Sequence, residues 1–205
     1  CRASCRGEHG EEREGGFLVH LRLFYAIPES LSSWQNAPMP ELPEIEVLKR
    51  SLEPRLAGRR VLEVRVHSPA LREPLDRRAL EGLAGRRIER LGRRSKLVGR
   101  EVMALGRRSK YLLLEVERGA TLVIHLGMSG RLTLAPAAAE REAHEHLSFC
   151  LDDGERLRLR DPRRFGIAFV APTADLGGDR HFRHLGAEPL TPRLTGAQLA
   201  GLAAG

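Results

Sequence analysis

The stretch HLSFCLDDGERLRLR, residues 146–160, holds two runs of alternating apolar and polar residues on either side of an acidic turn. Alternation with a period of two is typical of strands that bury one face. Asp152, Asp153 and Gly154 supply the Asp-Gly signal of a tight hairpin. The stretch therefore predicts two antiparallel strands with their leucines on a common buried face.

Strand-like runs recur on both sides of this hairpin. They are RRVLEVRVHS (59–68), YLLLEVE (111–117), TLVIHLGMSGRLTL (121–134) and GIAFVA (166–171). An amphipathic helix is predicted over residues 43–58, where Ile45, Leu48, Leu52 and Leu56 recur at spacings of three and four. A shorter helix is predicted over residues 77–83. Together these patterns predict an α+β fold, a two-sheet antiparallel β-sandwich flanked by helices.

Composition narrows the class of protein. The chain has 205 residues, of which 41% are hydrophobic and 4% aromatic, so Leu, Val and Ala must build the core. No apolar run reaches the roughly 20 residues of a membrane span, and no membrane partner is predicted. The net charge of +7, carried largely by arginine, suits a polyanion such as nucleic acid, although solvated surface charge is the plain alternative. The three scattered cysteines favour neither a disulfide framework nor a zinc site, and indicate a reducing cytoplasm.

The ends of the chain differ from its middle. Residues 1–38 show no clear periodicity and begin with Cys, which predicts a disordered, non-native upstream extension, a genuine extension being the alternative. The segment from Thr191, residues 191–205, predicts the start of a helix. The sequence LGRRSK occurs twice, at 91–96 and 105–110, which indicates a local duplication.

Met39 and Pro40 could provide an N-terminal amine nucleophile. If Met39 is the true start and is removed, Pro40 presents a secondary amine that can attack an aldehyde carbon. The positive end of the following helix dipole would favour the neutral, nucleophilic amine, and Glu41 could pass protons. The plainer reading is that Pro40 and Pro43 only shape the entrance of a helix.

Two tight turns carry side chains suited to a nucleic-acid wedge. HLGMSGRL (125–132) places Met128 between glycines, and RDPRRFG (160–166) places Arg163, Arg164 and Phe165 in a second turn. An exposed Met and Phe beside an Arg can fill the gap that a flipped nucleotide leaves. Met and Phe are more often core residues, so each motif alone is weak. The His144-x-His146 pair has no third ligand at suitable spacing, and no metal site is predicted.

Six motifs occur in one order: MPELPEIEVLKRSLEP, GRRSKYLLLEV, IHLGMSGRL, HEHLSF, RDPRRFG and HLGAEPL. With these motifs the chain resembles the N-terminal domain of bacterial formamidopyrimidine-DNA glycosylase over residues 39–190. The opening Pro-Glu-Leu-Pro-Glu favours this family over the related endonuclease VIII, which has Gly at the third position.

The resemblance implies roles for the residues that match. Pro40 would be the nucleophile that forms a Schiff base with C1′ of the damaged nucleotide, and Glu41 the acid that protonates the sugar. Lys110 would act at the damaged site as a proton donor, and Glu44 would be a supporting carboxylate. The DNA-binding residues would be His125, Met128, His144, Arg163, Arg164 and Phe165, with Arg163 facing the orphaned cytosine.

The implied activity is that of a bifunctional DNA glycosylase and AP lyase of base-excision repair. It would remove 8-oxoguanine and formamidopyrimidines from damaged double-stranded DNA, as a cytoplasmic, nucleoid-acting monomer. Residues 39–190 would form the catalytic domain, and residues 191–205 the start of a helical DNA-binding domain. No cofactor is expected in this chain, because the family's zinc is held by a cysteine finger further along.

Residues 1–38 bear directly on that chemistry. If they remain attached, the Pro40 nitrogen is an amide and cannot act as a nucleophile. An inactive DNA-binding fragment is therefore the alternative to an active enzyme. A ribosome- or RNA-associated basic protein is a third reading, which the ordered motifs disfavour.

Overall fold

A computed structural model describes residues 40–90, 107–186, 188 and 195–203. The predictions for residues 1–38 and for the first LGRRSK copy lie outside these residues. The described helices are α1 (Leu42–Leu56), α2 (Arg77–Glu81), α3 (Gly196–Ala203) and a 3-10 helix (Thr173–Gly178). The strands are β1 (Val61–Val66), β2 (Ile88–Arg90), β3 (Arg107–Arg108), β4 (Tyr111–Val116), β5 (Ala120–His125), β6 (Arg131–Pro136), β7 (Glu145–Leu151), β8 (Glu155–Arg160) and β9 (Ile167–Pro172).

The strands form two antiparallel sheets, as the alternating runs predict. The first sheet has the order β1-β7-β8-β6, and the second has the order β2-β4-β5-β9 with β3 added beside β4. The predicted hairpin at residues 152–154 joins β7 to β8, with Phe149 opposite Leu157 and Leu147 opposite Leu159. Gly154 adopts a φ of 80°, which glycine allows without the steric cost of a Cβ.

The main core lies between the two sheets. Leu147, Phe149, Leu157 and Leu159 of the first sheet are at most 2% exposed. They belong to one apolar cluster with buried residues of the second sheet and of α1, namely Leu112, Leu114, Leu122, Ile124, Ile45, Leu52 and Leu56. Each such side chain contributes on the order of 2 kcal/mol of burial energy.

The second sheet is apolar on both faces, which explains why YLLLEV and TLVI read as continuous apolar runs. Leu113 and Val123 point away from the main core into a smaller cluster with Leu176 and Phe182. The chain after β9 therefore covers the outer face of this sheet. None of the described helices is long and apolar enough to cross a bilayer.

Three details differ from the sequence prediction. The run 121–134 is two strands, β5 and β6, which lie in different sheets because the chain turns at residues 126–130. The second helix ends at Glu81, and the turn after it includes Gly82 and Gly85, the latter with a φ of 80°. The short strands β2 and β3 are too brief to show alternation.

Two short connections that cross from one sheet to the other lie side by side. Residues 126–130 lead from β5 to β6, and residues 161–166 lead from β8 back to β9. The strands that enter and leave these crossings are paired, with His125 opposite Ile167 and Arg131 opposite Arg160. The fold thus brings the two turns with wedge-like side chains together at one edge of the sandwich.

Candidate functional site

The N-terminal end of α1 lies beside the turn between β3 and β4. Lys110 Nζ in that turn lies 2.7 Å from Glu41 Oε2, and both side chains are partly exposed. Pro40 is half-buried and directly precedes Glu41. The three residues predicted to be catalytic are therefore neighbours, although Lys110 is far from the other two in sequence. Their catalytic roles remain predictions.

Glu44 lies in the first turn of α1, and its exposed carboxylate accepts a hydrogen bond from the backbone N–H of Glu41 at 3.1 Å. This bond satisfies one of the free amide groups at a helix start. A carboxylate in the first turn also interacts favourably with the helix dipole. The position of Glu44 thus fits a capping role that fixes the backbone next to Pro40.

A buried ion network supports the Lys110 turn, and the sequence analysis did not single it out. The Arg107 side chain is fully buried, with Nε 3.1 Å from Glu46 Oε2 of α1 and Nη1 2.6 Å from Glu188 Oε1. Arg107 also donates to the Ser109 carbonyl, while the Ser109 N–H donates to Glu188 Oε2 at 2.9 Å. Ser109 adopts a φ of 54°, so the bonds on both sides hold a strained residue directly before Lys110.

Glu46 shows how charge stabilises this network. Burial alone would raise the pKa of Glu46, but hydrogen bonds from Arg50 and Arg107, with the charge of Lys49, outweigh it and lower that pKa. The carboxylate therefore stays ionised opposite the buried guanidinium. The sequence signals for this network were three of the ordered motifs, which contain Glu46, Arg107 and Glu188.

His125 lies at the end of β5, near the Lys110 turn. Its Nδ1 accepts a hydrogen bond from the Gly127 N–H at 3.0 Å, so the neutral ring carries its proton on Nε2. The ring packs against Tyr111 with 4.8 Å between centroids. Burial lowers the pKa of His125, and the positive charges of Lys110 and Arg72 lower it further. The neutral ring can still donate to a phosphate from Nε2.

The two crossings present the wedge-like side chains to solvent. Met128 is 39% exposed and Phe165 is 42% exposed, although both are large and apolar. The Arg163 guanidinium lies 4.9 Å from the centre of the Phe165 ring, a cation–π contact. These three side chains belong to the predicted group, and the fold places their turns next to each other.

Asp161 joins the two crossings and is absent from the predicted site residues. It is fully buried, and it accepts hydrogen bonds from Ser129 Oγ at 2.5 Å and from the Gly166 N–H at 2.7 Å. Ser129 Oγ in turn accepts from the Arg163 N–H at 3.1 Å. Asp161 was visible in the sequence as part of RDPRRFG, but its buried, bridging position depends on the fold.

Gly127 is required at its position for a steric reason. Its φ is 62°, and a Cβ there would lie 2.5 Å from the Phe165 carbonyl carbon and 2.6 Å from its oxygen. No real Cβ contact is that short. The two crossings can therefore pack together only with glycine at position 127.

His144 and Arg164 are exposed residues with left-handed backbone, with φ values of 64° and 57°. The His144 carbonyl accepts a hydrogen bond from the Asp161 N–H at 3.0 Å. This bond fixes His144 beside the start of the second crossing. Both residues are thus on the same edge of the sandwich as Met128 and Phe165.

Arg72 is a further exposed cation at this edge that sequence reasoning missed. Its backbone N–H donates to the Gly166 carbonyl at 3.0 Å, and its positive charge helps to lower the pKa of His125.

Among the described residues, no group of three or more His, Cys, Asp or Glu is arranged to hold a metal ion. The edge therefore carries several cations around exposed apolar side chains, and the Lys110–Glu41 pair lies next to Pro40.

Comparison with known proteins gives one consistent result. The family model described as formamidopyrimidine-DNA glycosylase N-terminal domain matches in two pieces, residues 39–98 and 95–168, which overlap at 95–98, at the end of the first LGRRSK copy. The formamidopyrimidine-DNA glycosylase of Methylocella silvestris is 45% identical over 178 residues, covering 82% of this chain and 56% of that protein. The one from Rhizorhabdus wittichii is 43% identical over 163 residues, covering 80% and 54%.

Solved structures agree with the sequence matches. The crystal structure of Lactococcus lactis Fpg (MutM) with DNA containing N7-benzyl-Fapy-dG has a TM-score of 0.55 and 29% identity, covering 67% of this chain and 45% of that one. The same enzyme bound non-covalently to DNA containing an AP site has a TM-score of 0.55 and 28% identity, covering 67% and 47%. The chain spans about half the length of the curated relatives it matches.

Proposed function

The chain belongs to the formamidopyrimidine-DNA glycosylase family, and we propose that it supplies the catalytic half of a bifunctional DNA glycosylase and AP lyase acting on oxidised purines. The observation that carries this proposal is the contact of Lys110 with Glu41, because it places two groups that can exchange protons next to Pro40. The relatives' names and the damaged DNA bound to the Lactococcus lactis enzyme support the substrate class.

The proposed reaction begins at the Pro40 nitrogen. Its lone pair forms a bond to C1′ while the glycosidic bond breaks. The base leaves with the electron pair of the broken bond and takes up a proton. The Pro40 nitrogen then loses its N–H proton, and its lone pair expels the sugar ring oxygen, which Glu41 protonates as the ring opens. This leaves a cationic Schiff base between Pro40 and C1′. Lys110, hydrogen-bonded to Glu41, would exchange protons with it.

The Schiff base makes the C2′ proton acidic. Loss of that proton expels the 3′ phosphate, and a second elimination expels the 5′ phosphate. Water then hydrolyses the imine and returns the free amine. His125, Arg163 and Arg164 would hold the phosphates or the opposite base, while Met128 and Phe165 fill the space of the flipped nucleotide.

The amine chemistry requires that Pro40 be the first residue of the active protein. An acylated Pro40 has no nucleophilic lone pair, so the active protein must begin at Pro40. We infer that residues 1–38 are absent from the active form and that Met39 is removed. Intact mass measurement of the purified protein gives its first residue directly.

Borohydride trapping on a duplex with 8-oxoguanine opposite cytosine tests the proposal. The protein would begin at Met39 and be fused to the carboxyl-terminal half of the Methylocella silvestris relative. A covalent adduct is expected, and the same fusion with residues 1–38 uncleaved is the matched control that should give none. Trapping by the control as well would exclude Pro40 as the nucleophile.

An inactive DNA-binding fragment is the second candidate. The observation that favours it is the peptide bond before Pro40 in the 205-residue chain. In that case the exposed wedge and the cations would still bind lesion-bearing duplex, but the protein that keeps residues 1–38 would not be trapped. Equal affinity for lesion-bearing and intact duplex would count against both candidates.

A further inference from the structure

Strand β8 carries a row of arginines on the face of the first sheet that points away from the core. Leu157 and Leu159 face the core and are at most 1% exposed, so the alternate residues Arg156, Arg158 and Arg160 face outward. In a chain with a net charge of +7, such a row would ordinarily be taken for a phosphate-binding surface or for solvated charge. However, the three side chains are only 5%, 11% and 29% exposed.

The segment that joins β6 to β7, residues 137–144, covers this row. Because β8 lies between β6 and β7 in the sheet, the chain that leaves Pro136 must pass across β8 before it enters β7 at Glu145. We call residues 137–144 the connecting segment. Its sequence is AAAEREAH, and nearly all of it is exposed, so it buries little apolar surface of its own.

Each outward arginine holds a successive part of the connecting segment. Arg156 Nη2 donates to the Ala139 carbonyl at 2.7 Å. Arg158 Nη2 lies 2.7 Å from Glu142 Oε1, and Arg160 Nε donates to the Ala143 carbonyl at 2.9 Å. These contacts advance along the strand and along the segment together. They are charge-assisted hydrogen bonds and partly shielded from water, which strengthens them.

The connecting segment ends at His144, the exposed residue predicted to contact DNA. His144 has a φ of 64°, a conformation that costs energy for a residue with a Cβ. The bond from Arg160 to Ala143 and the bond from the Asp161 N–H to the His144 carbonyl hold the chain on both sides of that strain.

We propose that Arg156, Arg158 and Arg160 are positioning residues, which act on DNA binding through the connecting segment and His144 and do not touch phosphate themselves. This inference rests on the proposed function only for the DNA contact of His144. It predicts that a strand with three outward arginines contributes no direct phosphate contact.

The test uses the full chain, since duplex binding needs no free Pro40 amine. Arg158→Ala and Arg160→Ala are compared with Arg65→Ala, whose guanidinium on β1 pairs with Glu63 at 2.8 Å and makes no described contact with the segment. Arg158→Lys is the conservative variant, because a lysine can still pair with Glu142. The first readout is amide hydrogen exchange of residues 137–144 in the free protein, together with thermal unfolding to confirm that each variant folds.

Arg158→Ala and Arg160→Ala should speed exchange in the connecting segment by about tenfold, while Arg65→Ala and Arg158→Lys leave it near the wild-type rate. Unchanged exchange in both alanine variants would overturn the proposal whatever happens with DNA. Failure of the wild-type chain to bind a lesion-bearing duplex would instead count against the proposed function, and the exchange rates would still decide whether the arginines hold the segment.

The second readout is a double-mutant cycle on duplex affinity. Arg160→Ala and His144→Ala should each weaken binding by about five- to tenfold, and the double variant should be no weaker than His144→Ala alone. The slope of log Kd against log salt should be the same for all three. Additive losses, with the slope reduced by about one for each substitution, would mean that Arg160 contacts phosphate and would refute the positioning role.

Discussion

The Ser129 hydroxyl donates a hydrogen bond to the buried carboxylate of Asp161 across 2.5 Å, and this contact links the two chain crossings that carry Met128 and Phe165. The second oxygen of Asp161 accepts from the Gly166 N–H, so both carboxylate oxygens are used. The relative position of the two exposed apolar side chains thus depends on one buried acid.

Asp161→Ala should destabilise the protein by about 2 kcal/mol or more, because it leaves the Ser129 hydroxyl and the Gly166 N–H without their buried acceptor. It should also weaken binding to a lesion-bearing duplex. Asp161→Asn is the matched control, since an amide can accept from Gly166 and donate to Ser129. Urea unfolding and fluorescence anisotropy would measure both effects, and equal losses in the two variants would contradict this account.

Gly127→Ala should displace the second crossing, because the added Cβ would lie 2.5 Å from the Phe165 backbone. Gly154→Ala is the control. The φ of Gly154 is 80° and that of Gly127 is 62°, so both substitutions strain the backbone, but a Cβ at position 154 would meet nothing within 4 Å. The control should lose about 1 kcal/mol of unfolding free energy, and Gly127→Ala clearly more, with weaker duplex binding. Equal melting temperatures for the two variants would show that the crossings are not in tight contact.

Arg107→Ala should lower the free energy of unfolding by about 3 kcal/mol, because it leaves Glu46 and Glu188 buried without their shared partner. Arg50 donates to the same Glu46 carboxylate at 2.8 Å, but its side chain is 74% exposed. Arg50→Ala should therefore cost less than about 1 kcal/mol. Chemical denaturation of both variants measures the difference, and a cost for Arg50→Ala as large as that for Arg107→Ala would contradict it.

Lys110→Ala should slow formation of the borohydride-trapped adduct by at least about a hundredfold in the fusion that begins at Met39, if Lys110 transfers protons together with Glu41. Lys49→Ala removes a lysine of α1 that pairs with Glu46 and Glu53, and it serves as the control for lost charge. Single-turnover trapping at saturating duplex separates this effect from binding. A rate for Lys110→Ala equal to that of the control would remove Lys110 from the proposed mechanism.

Stability should fall as the pH is lowered below about 6.5, in part through His125. The pKa of His125 in the folded protein lies below its ordinary value of 6.5, because burial and nearby positive charges disfavour the protonated ring. The unfolded chain therefore takes up a proton that the native state excludes. The pKa of His67 is lowered as well, mainly by burial, and adds to the same trend.

Urea midpoints at about pH 7.5 and about pH 5.5 would measure this dependence. His125→Gln should reduce the difference between the two midpoints, whereas wild type and variant should show the same difference if His125 titrates normally. The His67→Gln variant gives the second contribution separately.

The sandwich could be predicted from sequence periodicity, because alternation depends only on residues that are close together in the sequence. Alternating leucines in residues 146–160 indicate a buried face without reference to the partner sheet. The buried position of Arg107 could not be predicted in this way, since a guanidinium is tolerated in the core only when distant carboxylates such as Glu46 and Glu188 reach it. The same holds for Asp161, whose partners come from a turn in another part of the chain.

The candidate site was predicted from ordered motifs and from a family resemblance, and not from the physics of any single residue. Alternation places Arg156, Arg158 and Arg160 on the face of β8 opposite its buried leucines. Only the order of strands in the sheet reveals that the segment from β6 to β7 must pass over them. Local pattern indicates which way a side chain points, and topology decides what it meets there.

The side-by-side crossings have a mechanical consequence. Met128 and Phe165 lie where the chain passes from one sheet to the other, so a force on either side chain is transmitted to both sheets. A hairpin at the free end of a single sheet would bend under the same load. Under the proposed function these side chains would separate stacked bases, which requires a rigid support, and connections anchored in both sheets would supply it.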